Sequence, residues 1–403
     1  MELKTRKSCL CCNNKKIQKI IDLGLHSFAD RFIPRKYLKK LDPKYPLILD
    51  LCLKCKFIQS RYITDPNKRY SEIDYSYTSS NSNYSKRHWI KFSDELNKKY
   101  KVKDKNIFEI GSNDGFLLHQ LKKMNARVLG IDASKFMVNI SKKKVRSIHS
   151  TFSFKESIKI KRKFGSADII IANNVFNHSN NPLNFLKGVN NLLKKNSIFI
   201  FEQPYFASGL YSSKFDQIYH EHVSYFTAEN ISSIIDRIGL KIISMKYNDY
   251  HGGSLRTIVV KKNSDLKEKT DLKFIKKEYK EKIYTIQFYK DLINKINFKK
   301  KKLLNKINNF KKNGFVISGI GAGAKSNTFL TYYGLNNKII DFLTDTSVFK
   351  KNKFTPLTRI LIKDDIELKK YKKLICIILS WNISKIVIDK IKKLNKNLII
   401  LKT

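Results

Sequence analysis

Apolar residues fall along this chain in two alternating rhythms. From Asn106, "NIFEIGSNDGFLLHQL" passes from a short apolar strand reaching Glu109, through a turn carrying Gly111, Asn113 and Gly115, into an amphipathic helix from about Phe116. "RVLGIDAS" predicts a second strand ending in Asp132, and "SADIIIANNVFNH" a third, buried one that runs out into Asn173, Asn174 and His178. Strands alternating with helices predict a parallel sheet with a crevice at the strands' carboxyl ends. Residues 265–312 are charged with helical spacing, which predicts long connecting helices. "GFVISGIGAGAKSNTFL" then repeats strand, glycine turn and helix start; "KIIDFLTD", "KKLICIILSW" and "NKNLIILKT" extend a second, smaller parallel sheet. In the densest basic run, "NFKKKKLLNKINNFKKNG", Phe298, Leu303 and Ile307 keep a helical apolar spacing, so its lysines read as a solvated face.

Composition adds limits to this α/β picture. A chain of 403 residues, 42% hydrophobic with 15 Gly and 7 Pro, is an ordinary globular one with room for two or three domains. No stretch approaches ~18 consecutive apolar residues, so no membrane span is expected. "MELKTRKSCLCC" runs from charges straight to cysteines, unlike a signal peptide, and the expected location is cytoplasmic. The 81 Lys+Arg against 34 Asp+Glu leave a net charge of +47. Such a field attracts nucleic acid and equally small anionic substrates. Because the excess is mostly lysine spread among Ile and Asn, no specific nucleic-acid partner is expected. A monomer is the simplest assembly, with no heptads or apolar stripe demanding a partner.

Four of the six cysteines form two C-x-x-C pairs, Cys9/Cys12 in "CLCC" and Cys52/Cys55 in "CLKC". In a reducing setting this spacing argues for tetrahedral Zn²⁺, each pair supplying two thiolates at the bite of a knuckle turn. Residues 13–51 must fold as a small domain between the pairs. Four thiolates leave no open coordination position, so the metal holds the fold and does not catalyse. Cys376, in the apolar run "LICIILS", reads as a buried strand residue.

The turn "EIGSNDG" sets an acid before it and an acid within it, which repels phosphate. S-adenosylmethionine carries a cation and no phosphate, so Glu109, Gly111, Asn113, Gly115 and Asp132, with Asn173 and His178 beyond, are read as its binding set. Asp132, at the tip of the second strand, is placed for ribose hydroxyls. The later turn has Gly319, Gly321 and Ala324 in G-x-G-x-x-A, with Asp345 a strand further on. Alone it would be a dinucleotide unit. Nothing near it suggests a hydride acceptor, and a helix N-terminus binds any diphosphate. Gly321, Lys325, Ser326 and Asn327 are therefore candidate substrate contacts. Arg256 in "HGGSLR" is either another or a surface salt bridge.

"QIYHEHVSYF" holds Tyr219, His220, Glu221 and His222 in a chain with eight histidines. They could bind metal, pack a core or move a proton. Taken with "LGLHSFADRFI", "EIGSNDGFLL", "HGGSLR", "GAGAKSNTFL" and the cysteine pairs, "YHEHVSYFT" resembles the class I methyltransferases that C-methylate nucleotide-linked deoxy-keto-sugars. The likeness spans nearly the whole chain in the family's order. It implies a zinc-bearing N-terminal domain (1–75), a methyltransferase domain (76–262) and a C-terminal Rossmann-like domain (263–403) that closes over the nucleotide sugar. It also implies that His222 is the catalytic base, with Tyr219 and Glu221 beside it, while His220 occupies a variable position.

That chemistry suits the residue types. A proton on carbon becomes removable beside a ketone, because the resulting charge is delocalised onto oxygen. Histidine titrates near neutrality and can take that proton. Tyr219 could donate to the enolate oxygen, and Glu221 could fix the imidazole tautomer or hold a sugar hydroxyl. The rival readings are methyl transfer to sugar oxygen or nitrogen, a zinc-bearing RNA-binding or RNA-modifying protein, and an NAD-dependent oxidoreductase.

Overall fold

The computed structural model describes residues 4–65, 78–80, 82–267 and 272–403, so the expected boundary at 75–76 lies outside the described residues. Near the N-terminus β1 (Lys4–Thr5) pairs with β5 (Tyr62–Ile63). An antiparallel sheet is made by β2 (Ile17–His26), β3 (Tyr45–Cys52) and β4 (Ile58–Ser60). Its fourth strand comes from far along the chain. Residues Ser224–Tyr225 (β11) pair with β4, so the order is β11-β4-β3-β2.

The central sheet contains β6 (Asn106–Ile110), β7 (Arg127–Asp132), β8 (Ser147–His149), β9 (Ala167–Asn173), β10 (Leu193–Pro204), β12 (Leu240–Asn248) and β13 (Ser254–Lys261). They lie in the order β12-β13-β10-β9-β6-β7-β8, and β13 runs against both neighbours while the other pairings are parallel. Buried on both faces, β9 reads "ADIIIAN", with a continuous apolar run over residues 169–172 and no alternation there. The chain builds outward from β6 in one direction and from β9 in the other, which opens a crevice at their carboxyl ends. The α/β class with a Rossmann-like core, expected from the sequence, is met.

A second parallel sheet, β16-β15-β14-β17-β18, is built from β14 (Val316–Ile320), β15 (Phe342–Thr344), β16 (Ile362–Lys363), β17 (Leu374–Ile378) and β18 (Ile399–Lys402). Cys376 lies fully buried in β17. The long helix Ile286–Lys312 connects the two halves, and Thr285 caps it by accepting from the Phe288 amide. It buries Tyr289, Leu292, Ile296 and Ile307. Phe298, expected on this stripe, is 70% exposed. Two residues beyond Ile296, it is turned to the opposite face of a helix of 3.6 residues per turn.

One buried apolar cluster includes Leu49 of the first sheet, Phe201 of the second and Ile317 of the third. No helix among the described residues is long and apolar enough to cross a membrane.

Candidate functional site

The two cysteine pairs converge. The four Sγ atoms of Cys9, Cys12, Cys52 and Cys55 lie within 4.8 Å of one another, with Cys9–Cys55 and Cys12–Cys52 each at 3.5 Å. Four thiolates around Zn²⁺ at ~2.3 Å stand roughly 3.8 Å apart, so the spacing fits the ion. Both knuckles close alike: the residue after each second cysteine, Asn13 or Lys56, has positive φ and donates its amide to the carbonyl of the first. Cys11 stays outside this quartet, its thiol directed to Cys55 and Arg237.

The first glycine turn leaves β6. Gly111 has φ +74°, and a Cβ there would stand 1.9 Å from Val175 Cγ2. Gly115 has φ +71°, and its Cβ would meet Ser141 Oγ at 2.4 Å. Asp132 accepts from the Asn113 and Ser134 amides, both at 2.8 Å, so the acid of β7 braces the turn. Glu109 is buried, and its Oε2 has no hydrogen-bond partner among the described residues. Burial, then the charges of Asp114 and Asp132, push its carboxyl well above the usual range. Asn173 accepts from the Glu202 amide at 3.1 Å and leaves its Nδ2 without a partner among the described residues. Buried polar atoms left this way mark a place for a polar ligand. An uncompensated carboxylate suits the cationic end of adenosylmethionine. Asp114 has other work: it accepts from the Ser79 and Ser80 hydroxyls and from the Phe116 amide at the helix start. Asn113 Oδ1 receives the Ser79 amide at 2.8 Å. Ser79 and Ser80, which strap the turn, escaped the sequence reading.

The extension of β9 joins this turn to the histidine segment. Val175 abuts Gly111, Asn177 accepts from the Val223 amide at 2.8 Å, and the His178 ring lies 4.9 Å from that of His222. His222 is buried, with Nδ1 at 2.9 Å from the Gln217 carbonyl oxygen. A carbonyl only accepts, so Nδ1 carries the proton and Nε2 is the free base of the neutral ring. Burial, then the charges of His178, Lys325 and His251, hold the ring's pKa well below the ordinary histidine value, against the opposing pull of Gln217. The Tyr219 ring packs 3.9 Å from the imidazole.

Glu221 does not fix this tautomer; its Oε1 accepts from the Asp30 amide at 3.3 Å. His220 sets Nε2 at 3.2 Å from the Pro46 carbonyl and packs edge-on against Phe28 and Tyr45. It belongs to the contact with the N-terminal sheet.

Lys325 also reaches this place. Its Nζ donates to the His251 carbonyl at 2.6 Å and lies over Trp381 at 5.0 Å, with Asp216 as its stabilising charge. Three other expected substrate contacts, Arg256, Ser326 and Asn327, have partners within the chain. Arg256 donates to buried Glu202 at 2.9 and 2.8 Å and to Glu95 at 2.7 Å, and lies over Phe92 at 3.9 Å. His88 holds the other Glu202 oxygen at 3.1 Å. Ser326 turns back to accept the Gly323 amide at 3.3 Å, closing the helix start. Asn327 donates to the Ala29 carbonyl.

The second glycine turn is filled from within the chain. Gly321 donates its amide to Thr344 O at 2.8 Å, and Ala322 to Asp345 at 2.8 Å. Ile33 bridges Phe354, and Asp30 lies in the fields of Lys350 and Asp345. The segment "ADRFI" thus lies against the loop that follows β15.

Three family models match the chain in order: one described as a zinc binding domain over residues 9–70, a methyltransferase domain over 83–245, and a C-methyltransferase C-terminal domain over 249–399. The C-methyltransferase NovU of Streptomyces niveus is 23% identical over 392 residues, spanning 96% of this chain and 93% of that protein. The ubiquinone biosynthesis O-methyltransferase of Pelagibacter ubique is 28% identical over 138 residues, 33% of this chain and 56% of that protein. Among solved structures, magnesium protoporphyrin IX methyltransferase of Synechocystis with bound SAH aligns with TM-score 0.36 and 15% identity over 44% of this chain and 83% of that one. The plantazolicin methyltransferase BpumL aligns with TM-score 0.38 and 16% identity, over 49% and 91%.

Proposed function

We propose that this chain, which matches a zinc-binding, a methyltransferase and a C-methyltransferase C-terminal family model in order, is an adenosylmethionine-dependent C-methyltransferase that methylates a ring carbon of a nucleotide-linked 4-keto-deoxysugar. Adenosylmethionine, when bound, supplies an electrophilic methyl group on a sulfonium. Glu109, Gly111, Asn113, Gly115, Asp132, Asn173 and His178 form its seat, with the Glu109 carboxylate matched to its cationic end. His222 Nε2 takes the proton from the carbon beside the ketone, while the Gln217 carbonyl keeps Nδ1–H pointed away. The negative charge that develops on the ketone oxygen is met by the Tyr219 hydroxyl and by the field of Lys325. The low pKa of His222 keeps it unprotonated at neutral pH, ready to accept.

The observation that carries this reading is a buried imidazole of fixed tautomer, tied to the glycine turn through residues 174–178. Replacement His222→Ala should lower turnover of keto-sugar nucleotides by ~10²–10⁴ with adenosylmethionine binding intact. Wild-type enzyme should also exchange solvent deuterium into the sugar carbon. Normal turnover in the variant rejects the base; methylation without any deuterium exchange points to transfer onto oxygen or nitrogen.

A further inference from the structure

The segment that carries Tyr219, Glu221 and His222 runs over residues 212–223, between the helix Phe206–Tyr211 and β11, and contains neither helix nor strand. Gln217, Ile218, His220, Glu221 and His222 are nonetheless buried, and a buried carbonyl left without a partner is costly. The partners of its carbonyls therefore show what holds the segment in shape. Those of Gln217 and Tyr219 are met close by: His222 Nδ1 lies 2.9 Å from the first, and the second accepts from the His222 amide at 2.9 Å and the Tyr225 hydroxyl at 3.2 Å. The other two are met from far along the chain. The His220 carbonyl accepts from Thr64 Oγ1 at 3.4 Å, and the Ile218 carbonyl from Thr328 Oγ1 at 3.0 Å.

We propose that Asn327 and Thr328, consecutive on the helix Ala324–Tyr333, are positioning residues that mount the proton-transfer groups from the C-terminal side of the chain; the inference rests on the reaction proposed above.

Each of the two side chains holds one peptide group. The carbonyl taken by Thr328 belongs to the peptide joining Ile218 to Tyr219, so the hydroxyl fixes the plane from which the Tyr219 side chain departs. Asn327 donates Nδ2 to the Ala29 carbonyl, and the N–H of that same peptide group, on Asp30, donates to Glu221 Oε1 at 3.3 Å. Hydrogen bonds in series polarise one another, so a peptide that accepts at its oxygen donates better at its N–H. Asn327 thus reaches Glu221 through a single peptide plane. Successive helical residues point about 100° apart around the axis, which lets one helix serve two segments. Asn327 and Thr328 are both buried, and Lys325 on the same helix donates to the His251 carbonyl at 2.6 Å. The run "KSNT" over residues 325–328, whose residue types suit a phosphate, has every member engaged within the chain, three of them around the candidate base.

The test compares Thr328→Val, which keeps the shape and loses the donor, with Thr328→Ser, which keeps the hydroxyl, in the full zinc-loaded chain. Hydrogen–deuterium exchange read by mass spectrometry should quicken over residues 217–223 in the valine variant alone, with β6 and β9 unchanged. The kcat for keto-sugar nucleotide should fall about tenfold to a hundredfold in that variant, with the KM for sugar nucleotide and the Kd for adenosylhomocysteine unchanged. The serine variant should restore most of the rate. If Thr328→Val does not fold, Asn327→Ser, which withdraws the donor from Ala29, should show the same split, with faster exchange over residues 28–31. Unaltered exchange and kcat, a rise in KM alone, or a serine variant as slow as the valine one overturns the inference. If exchange follows the hydroxyl but wild type methylates no keto-sugar nucleotide, the mount stands and the proposed reaction falls. If wild type methylates and Thr328→Val keeps its kcat, the reaction stands and the mount falls.

Discussion

Burial lowers the pKa of four histidines, His26, His119, His222 and His251. His26, buried beside His220 with Nε2 at 3.0 Å from the Leu23 carbonyl, has its pKa lowered to about 4, and His251 to about 3. When a folded histidine resists protonation, the unfolded chain binds protons first as pH falls. The stability it contributes is present above pH 6.5 and is lost on the way down to about 4 for His26. The shift corresponds to about 3 kcal/mol at most. Between pH 7 and pH 4.5 the thermal midpoint of wild type should therefore fall more steeply than that of His26→Gln; parallel curves would contradict the assignment. The pairing of Arg256 with Glu202 allows an independent check on whether it serves the fold or the substrate. Because Glu202 has no exposed surface, Arg256→Gln leaves a buried carboxylate short of its partner, a loss of ~3–5 kcal/mol. A lowered melting point with unchanged KM for sugar nucleotide is expected; the reverse pattern would restore Arg256 to the substrate.

At the level of elements, buried parallel strands were the most readable feature, because β6, β9, β14 and β17 are short, mainly apolar and buried segments that need no strict alternation. The glycine turns were readable for a steric reason. Gly111→Ala should weaken adenosylmethionine binding and lower the melting point, and adding Val175→Ala should recover only part, since the clash with Val175 goes but φ +74° remains. Full recovery would mean that space alone matters there. Less could be read of what holds the candidate base. Its tautomer is fixed by the Gln217 carbonyl, a backbone group that every residue type offers, so no letter of the sequence announces it. Ser326 and Asn327 illustrate the converse. Their identities suit a phosphate site, but a serine three residues into a helix also caps it, and only the fold decides which. The stripe of the long helix was misjudged at Phe298 for want of knowing which face meets the core.

Across the whole molecule, the metal knuckle and the candidate base share one sheet. Ser60 donates to the Val223 carbonyl at 2.8 Å and β11 begins one residue beyond it, so the position of the base depends on β3 and β4, which carry or flank Cys52 and Cys55. Removing zinc with a chelator should abolish turnover while leaving the central sheet and its adenosylmethionine site folded; retained turnover in verified metal-free protein would uncouple the two. The pairing of residues 224–225 with the first sheet has a consequence for ancestry and engineering. A recombination event that imports a foreign zinc-bearing segment delivers three strands lacking their fourth, unless residues 223–225 travel with it as a second, separate exchange. Hybrids made at the apparent seam alone should inherit a misregistered base, and functional ones should carry both pieces from one parent.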